Sequence, residues 1–431
     1  MDLGAADEDI RRTVLDSGAR IVSERMPGSR SVTIGITATV GSRDEAPAVA
    51  GASHFLEHLL FKGTESRTAR GIAMAVDAVG GEMNAYTGRE GTSYYLRLPS
   101  SELDFGLDLL GDVVKAPAFR ANEVESEREV IIEELLMAED DPDDVVHQAL
   151  YEAAFPGHPI GRETLGSMES IPGLDRDSIA AFHAEHYRPA NLVIAAAGDL
   201  DHDVVIDRMT SVFGGANAGG TSIVESRQAP DGHLENLTTT HRDTEQVHLQ
   251  MAWRSLALRD TDRFALFVAN HVLGGGMASR LFTEVREERG LAYAVYSGPS
   301  LYTDTGLLSI YAGTGRARLG ELLRVIDEVL EGLLADGITD EEHAVALGYL
   351  EGATVLGLED SGSRMSRLAS NEVVWGEVVP LDVQLGRLRS VTPDQVLDVL
   401  RKVLGAPRTV AAVGVGVEGD PLLESAAAWR R

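Results

Sequence analysis

The sequence predicts an α+β protein of two structurally similar domains, each a mostly antiparallel sheet with helices packed on one face. Three observations carry this expectation. The chain has 431 residues, too many for one ordinary hydrophobic core. Strand and helix signals occur in the same order twice, once in each half, as a degenerate internal repeat. Between the two sets lies Gly214-Gly-Ala-Asn-Ala-Gly-Gly220, and this small, polar composition continues to Gly232, which reads as a linker. The expected domains are residues 1–213 and 233–431, with the linker over 214–232.

Each element follows from local pattern. Ser31–Val40 alternates and is rich in β-branched residues, so it reads as a strand. A loop over Gly41–Ala48 leads into a helix around His54. A second helix near Ala69–Val79 is broken by Gly80-Gly81. Glu82–Thr87 and Thr92–Leu98 read as a hairpin, and Leu103–Val114 as an amphipathic helix. A loop marked by Pro117 and Phe119 precedes an acidic helix over Asn122–Met137, which Asp140-Asp-Pro-Asp-Asp144 ends. Leu192–Asp199 is a short buried strand ending in a turn. After the linker the order begins again. Gln246–Trp253 is a strand, Arg263–Leu273 a helix, Gly306–Tyr311 a strand and Leu319–Leu334 a helix. Thr339 opens another helix, and Thr409–Val415 echoes Leu192–Ala197.

Composition narrows the function classes. The fractions of hydrophobic (44%) and charged (25%) residues are those of a globular protein. A formal charge of −30 argues against a nucleic-acid backbone or an anionic membrane as partner; it suits basic peptides and also simply keeps a protein soluble. There is no cysteine, hence no disulfide, thiol nucleophile or thiolate ligand. The first residues lack the apolar run of a signal peptide and the Arg- and Ser-rich character of an organelle presequence. No stretch has the ~18–20 apolar residues needed to span a bilayer. A cytoplasmic location is the expectation.

Chemistry concentrates in His54-Phe-Leu-Glu-His58. On a helix, His54 and His58 are four apart and Glu57 is three from His54, so all three share a side. Neutral imidazoles are good zinc ligands, and a catalytic zinc takes three protein ligands and leaves one position open. The intervening carboxylate is suited to take a proton from water acidified by the metal. The order is the inverse of the commoner His-Glu-x-x-His. A third ligand is sought in the acidic helix. Glu127, Val130, Ile131, Glu134 and Leu135 fall at i, i+3, i+4, i+7 and i+8, one face, where an unpaired carboxylate is costly. Glu134 is therefore read as a metal ligand and Glu127 as a support of the site. Glu123, Glu125 and Glu129 are read as solvated surface.

These residues resemble the inverted-zincin peptidases of the pitrilysin/insulinase type, and most closely the short-chain branch that includes the mitochondrial processing peptidase and its bacterial relatives. The matching stretches are His54-Phe-Leu-Glu-His-Leu-Leu-Phe-Lys-Gly-Thr64, Gly80-Gly-Glu-Met-Asn-Ala-Tyr-Thr87, Glu127-Arg-Glu-Val-Ile-Ile-Glu-Glu134, His158-Pro-Ile-Gly161 and Gly274-Gly-Gly-Met-Ala-Ser-Arg-Leu-Phe282. The resemblance implies a zinc-dependent endopeptidase with one Zn²⁺ per chain, held by His54, His58 and Glu134, with Glu57 activating water and Glu127 supporting the site. It implies substrate contacts at Asn84 and Ala85 on an edge strand that pairs with the peptide backbone. Arg286 and Tyr293, seven apart in the second half, resemble the family's pair that reaches over the zinc site and stabilises the oxyanion. The second half carries no His-x-x-Glu-His of its own. In short-chain relatives two chains close into a clam-shell chamber that admits unstructured peptides. One chain here carries both the metal motif and the Arg/Tyr pair, which implies a homodimer, with a heterodimer as the alternative. The competing readings are a non-catalytic or partner-dependent subunit and the dedicated processing of one precursor peptide. His183 and His186 are read as structural. Gly274-Gly-Gly276 lacks the Gly-x-x-x-x-Gly-Lys of a phosphate loop and reads as a flexible helix-to-loop junction.

Overall fold

The computed structural model describes residues 9–215 and 227–429. The first half of the chain runs β1 (Asp9–Val14), β2 (Arg20–Arg25), β3 (Ser31–Ala38), α1 (Ala52–Leu60), α2 (Ala69–Ala78), β4 (Glu82–Thr87), β5 (Thr92–Pro99), α3 (Leu103–Lys115), α4 (Ala121–Asp140), α5 (Pro142–Ala154), α6 (Arg176–His186), β6 (Leu192–Gly198) and α7 (His202–Phe213). The second half runs β7 (Leu237–His241), β8 (Gln246–Ser255), α8 (Arg263–Asn270), β9 (Ala292–Leu301), β10 (Gly306–Gly315), α9 (Leu319–Asp336), α10 (Asp340–Gly357), α11 (Ser361–Trp375), α12 (Leu381–Arg389), α13 (Pro393–Leu404), β11 (Arg408–Gly414) and α14 (Pro421–Ala427). None of the helices in these described residues is long and apolar enough to cross a membrane.

The strands form two sheets, ordered β1-β2-β6-β3-β5-β4 and β7-β11-β8-β10-β9. With β1 set aside the orders are the same, so β3 corresponds to β8, β5 to β10 and β6 to β11, as the repeated sequence signals imply. Both sheets are mostly antiparallel, each with one parallel pair, β2 with β6 and β7 with β11. In the first, one face is buried under α1, α3, α6 and α7 through Phe55, Leu56, Leu107, Leu110, Ile179 and Met209. In the second, α8, α9 and α13 bury the matching face through Leu266, Ile326, Leu330 and Leu400.

The opposite face of each sheet is also covered, and this corrects the expected boundaries. The compact units are not the continuous spans 1–213 and 233–431. One unit takes in residues through Leu136, Glu163–Arg227 and Val355–Pro380; the other takes in Met137–Arg162, Gln228–Thr354 and Leu381 onward. In the first unit α11 packs Met365, Leu368 and Ala369 onto Val22, Val193, Ala195 and Ala197. In the second, α5 packs Val146, Leu150 and Phe155 against Ala252, Leu307, Ala411 and Val413. The physical reason lies in the central strands. All seven residues of β6 and of β11 are buried, so each sheet needs a cover on both faces. The alanines on the second face leave room for a helix at close range. Charged anchors hold α11 in place: Arg12 Nε and Nη2 donate to Glu372 at 2.7 and 2.9 Å, and Arg364 pairs with Glu24, both carboxylates being buried. Most of the expected linker, residues 216–226, lies outside the described residues. Arg227 donates to Asp44 Oδ1 and Oδ2 at 2.8 and 2.7 Å, within the first unit.

Candidate metal centre

The first turn of α1 is built to start sharply. Glu45, itself buried, accepts hydrogen bonds from the Gly51 and Ser53 amides at 2.7 Å each, which satisfies donors the turn leaves open and sets a negative charge at the helix N-terminus. Gly51 has φ +90°, and a β-carbon there would lie 2.8 Å from the Leu165 carbonyl oxygen, so only glycine fits. Phe55, Leu56, Leu59 and Leu60 lie in the core and fix the rotation of the helix, so His54 and His58 project on one side. On α4, Val124, Ile131 and Leu135 are buried and turn Glu127 and Glu134, two turns apart, toward the same place. Arg128 secures α4 by donating to the Ile171 carbonyl at 2.7 Å.

The structure brings His54, His58 and Glu134 together. Glu134 Oε2 is 3.6 Å from His54 Nε2 and 3.7 Å from His58 Nε2, and the three potential ligand atoms lie within 4.8 Å of one another. These separations are too long for hydrogen bonds. They are close to the ~3.4 Å expected between two atoms bound to one tetrahedral zinc at about 2.0–2.2 Å each. Glu134 Oε2 is buried and has no hydrogen-bond partner among the described residues. A desolvated carboxylate oxygen facing two imidazole nitrogens calls for a cation. Burial, with His58 second, depresses the His54 pKa to about 4, so its ring is neutral at pH 7 with a lone pair available.

Around these three sit further groups. Glu127, 4% exposed, places Oε2 3.1 Å from His58 Nδ1 and Oε1 2.5 Å from Lys62 Nζ. With Glu127 ionised, Nδ1 is the donor, and the lone pair of His58 is on Nε2, on the Glu134 side. Glu57 extends from α1 to β4, where Thr87 Oγ1 donates to its Oε2 at 2.6 Å. Strand β4 is the sheet edge and pairs only with β5 among the described strands. Asn84 and Ala85 lie on it, and the Ala85 amide donates to Asn84 Oδ1 at 2.8 Å.

Arg286 and Tyr293 belong to the other unit and are neighbours there. A π-helical turn, Phe282–Glu287, carries Arg286, whose guanidinium lies 4.4 Å from the centroid of the Tyr293 ring and donates to the Tyr293 carbonyl at 3.0 Å. Tyr293, on the edge strand β9, is 77% exposed. His183 accounts for itself structurally: its Nε2 lies 2.9 Å from the Val114 carbonyl and its ring stacks on Tyr187, while His186 packs on Phe182. The Gly274–Gly276 run closes a second π-helical turn, and a β-carbon on Gly274 would meet the Ser297 amide at 2.7 Å, so close packing against β9 explains that glycine.

Two contributors escaped sequence reasoning. Lys62 had a readable signal, being four residues beyond His58 in the turn that follows the same helix. Thr87 had none, because only strand placement brings it to Glu57.

The chain is similar to known proteins. Residues 20–168 match the family model described as insulinase (peptidase family M16), and residues 173–348 match that of the peptidase M16 inactive domain. An uncharacterized zinc protease of Streptomyces coelicolor is 43% identical over 410 residues, 94% of this chain and 89% of its own length. An uncharacterized zinc protease of Bacillus subtilis is 38% identical over 94% of this chain and 98% of its own length. A protease from Helicobacter pylori, known from its crystal structure, has the same fold, with a TM-score of 0.88 at 22% identity over 94% of this chain and 99% of that one. A peptidase M16 inactive domain from Pseudomonas fluorescens has a TM-score of 0.86 at 22% identity over 96% and 99%.

Proposed function

Because the chain belongs to the insulinase family of peptidases (peptidase family M16), we propose that it is a zinc-dependent endopeptidase acting on unstructured peptides. The observation that carries the reading is the buried, unpartnered Glu134 oxygen facing the His54 and His58 nitrogens, with Glu57 on the same helix as the two histidines.

His54, His58 and Glu134 would hold one zinc per chain. When bound, zinc supplies Lewis acidity to the scissile carbonyl and to the attacking water. Glu57 takes the proton of that water and delivers it to the leaving amine. Thr87 holds one Glu57 oxygen and so aims the other at the proton it must accept. Glu127 keeps His58 in the tautomer that offers Nε2. An extended peptide adds to the open edge of β4 by backbone pairing, which accounts for binding without a demanded sequence. In that pairing Asn84 releases the Ala85 amide to a substrate carbonyl. Arg286 and Tyr293 are assigned to the developing oxyanion on the strength of family likeness. The assembly is a homodimer whose two chains enclose the peptide, on the strength of family likeness. The charge of −30 favours basic substrates.

The test is metal content together with cleavage of a quenched, unstructured basic peptide by wild type and Glu57→Gln. Wild type should carry about one zinc per chain and cut, with cleavage lost to a chelator. Glu57→Gln should keep the zinc and not cut. Wild type that binds zinc and never cuts would leave a non-catalytic subunit as the reading. Carefully purified protein without metal would overturn the site itself.

A further inference from the structure

We infer that Lys62 is a positioning residue for the metal centre, acting through Glu127 on His58; this rests on the metal-site reading above. Glu127 is a nearly fully buried carboxylate whose two oxygens have separate duties. One lies 2.5 Å from Lys62 Nζ and the other 3.1 Å from His58 Nδ1. The ammonium is the only cation paired with this carboxylate among the described residues, and it approaches from the solvent side, its side chain 34% exposed against 5% for Glu127. A buried carboxylate bound only to a neutral imidazole would be poorly compensated. By fixing Oε1, Lys62 sets the rotation of the carboxylate about its axis, and that rotation aims Oε2 at the imidazole N–H. The Lys62 amide donates to the Leu59 carbonyl at 3.0 Å, so the backbone of the lysine is held in the turn that follows α1. The result is a line of contacts, Lys62 to Glu127 to His58, in which an exposed charge determines how firmly a buried ring presents its ligand nitrogen.

The experiment measures zinc affinity by competition with a chromogenic chelator, independent of peptidase activity. Lys62→Met should weaken zinc binding at least ~10-fold, as for loss of a group that orients a histidine ligand. Lys62→Arg, which keeps the charge, should stay within ~3-fold of wild type, against the tenfold-or-greater loss that disruption of such a group brings. In a Glu127→Gln background the Lys62→Met change should have no further effect. Melting of the chelator-treated proteins checks that the fold is intact. Wild-type affinity in Lys62→Met, an equal loss in the arginine variant, or an undiminished effect without Glu127 would each overturn the assignment. Wild type without zinc affinity would instead remove the metal-site reading on which it rests.

Discussion

Thr87 is the sharpest point at which to press on the mechanism. Its hydroxyl donates to Glu57 at 2.6 Å from a strand that presents an open edge. Thr87→Val removes the donor while keeping the branched shape and the strand preference. A hydrogen bond to a charged acceptor contributes a net ~1.5–3 kcal/mol. Glu57 is only half-buried, so water replaces part of this. About 1–2 kcal/mol of base positioning should be lost, which is roughly 5–30-fold in kcat. KM should change little, because the backbone of β4, proposed to pair with peptide, is untouched, and zinc content should equal that of wild type. Thr87→Ser restores the donor and should recover most of kcat. Steady-state kinetics on the quenched peptide, beside zinc analysis of the same preparations, reads all of these quantities. A valine variant with wild-type kcat at equal zinc would refute the reasoning. A serine variant that loses as much as the valine variant would mean that the hydroxyl alone does not account for the effect.

Two further outcomes follow from burial. In the presence of a chelator, stability should fall as pH drops from about 6.5 toward 4. The folded chain holds His54 neutral down to about pH 4, whereas the unfolded chain protonates it near its ordinary value. The unfolded state therefore binds more protons in this window, and stability rises with pH across it by up to about 3 kcal/mol from this residue. Denaturant titrations at several pH values should give that slope, and His54→Phe should flatten it; an unchanged slope would rule out His54 as its source. Arg12→Met leaves Glu372, fully buried on α11, with Arg20 at 3.9 Å as its remaining cation, and should cost about 1.5–3 kcal/mol in the same denaturation assay, as for a hydrogen bond to a charged group. A loss below about 1 kcal/mol, the range of surface pairs, would mean that α11 is not held by this contact.

How much was legible in the sequence differs from residue to residue. The candidate metal site was readable because both of its parts are helical. Four-residue spacing puts His54 and His58 on one side, and seven-residue spacing puts Glu127 and Glu134 on another, whatever the rest of the chain does. The repeat was readable because strands such as Ser31–Ala38 and Gln246–Ser255 carry their burial as local patterns of apolar residues. Strand β1, Asp9–Val14, was not, because as an edge strand it carries four polar residues in six, and its apolar face of Ile10 and Val14 is interrupted by Arg12.

The sequence by itself determined which side chains share a helix face, where the strands of the repeat lie and which half carries the candidate metal motif, since periodicity fixes direction within an element. Only the tertiary structure decided what each face meets. It covered β6 with α11 and β11 with α5, from opposite halves of the chain, because a two-sided strand demands a second layer without specifying its source. It brought Thr87 to Glu57 across 30 residues and set Lys62 on Glu127 across the gap between α1 and α4. Local spacing encodes orientation; partners are chosen when separate elements pack, and nothing within a single element records that choice.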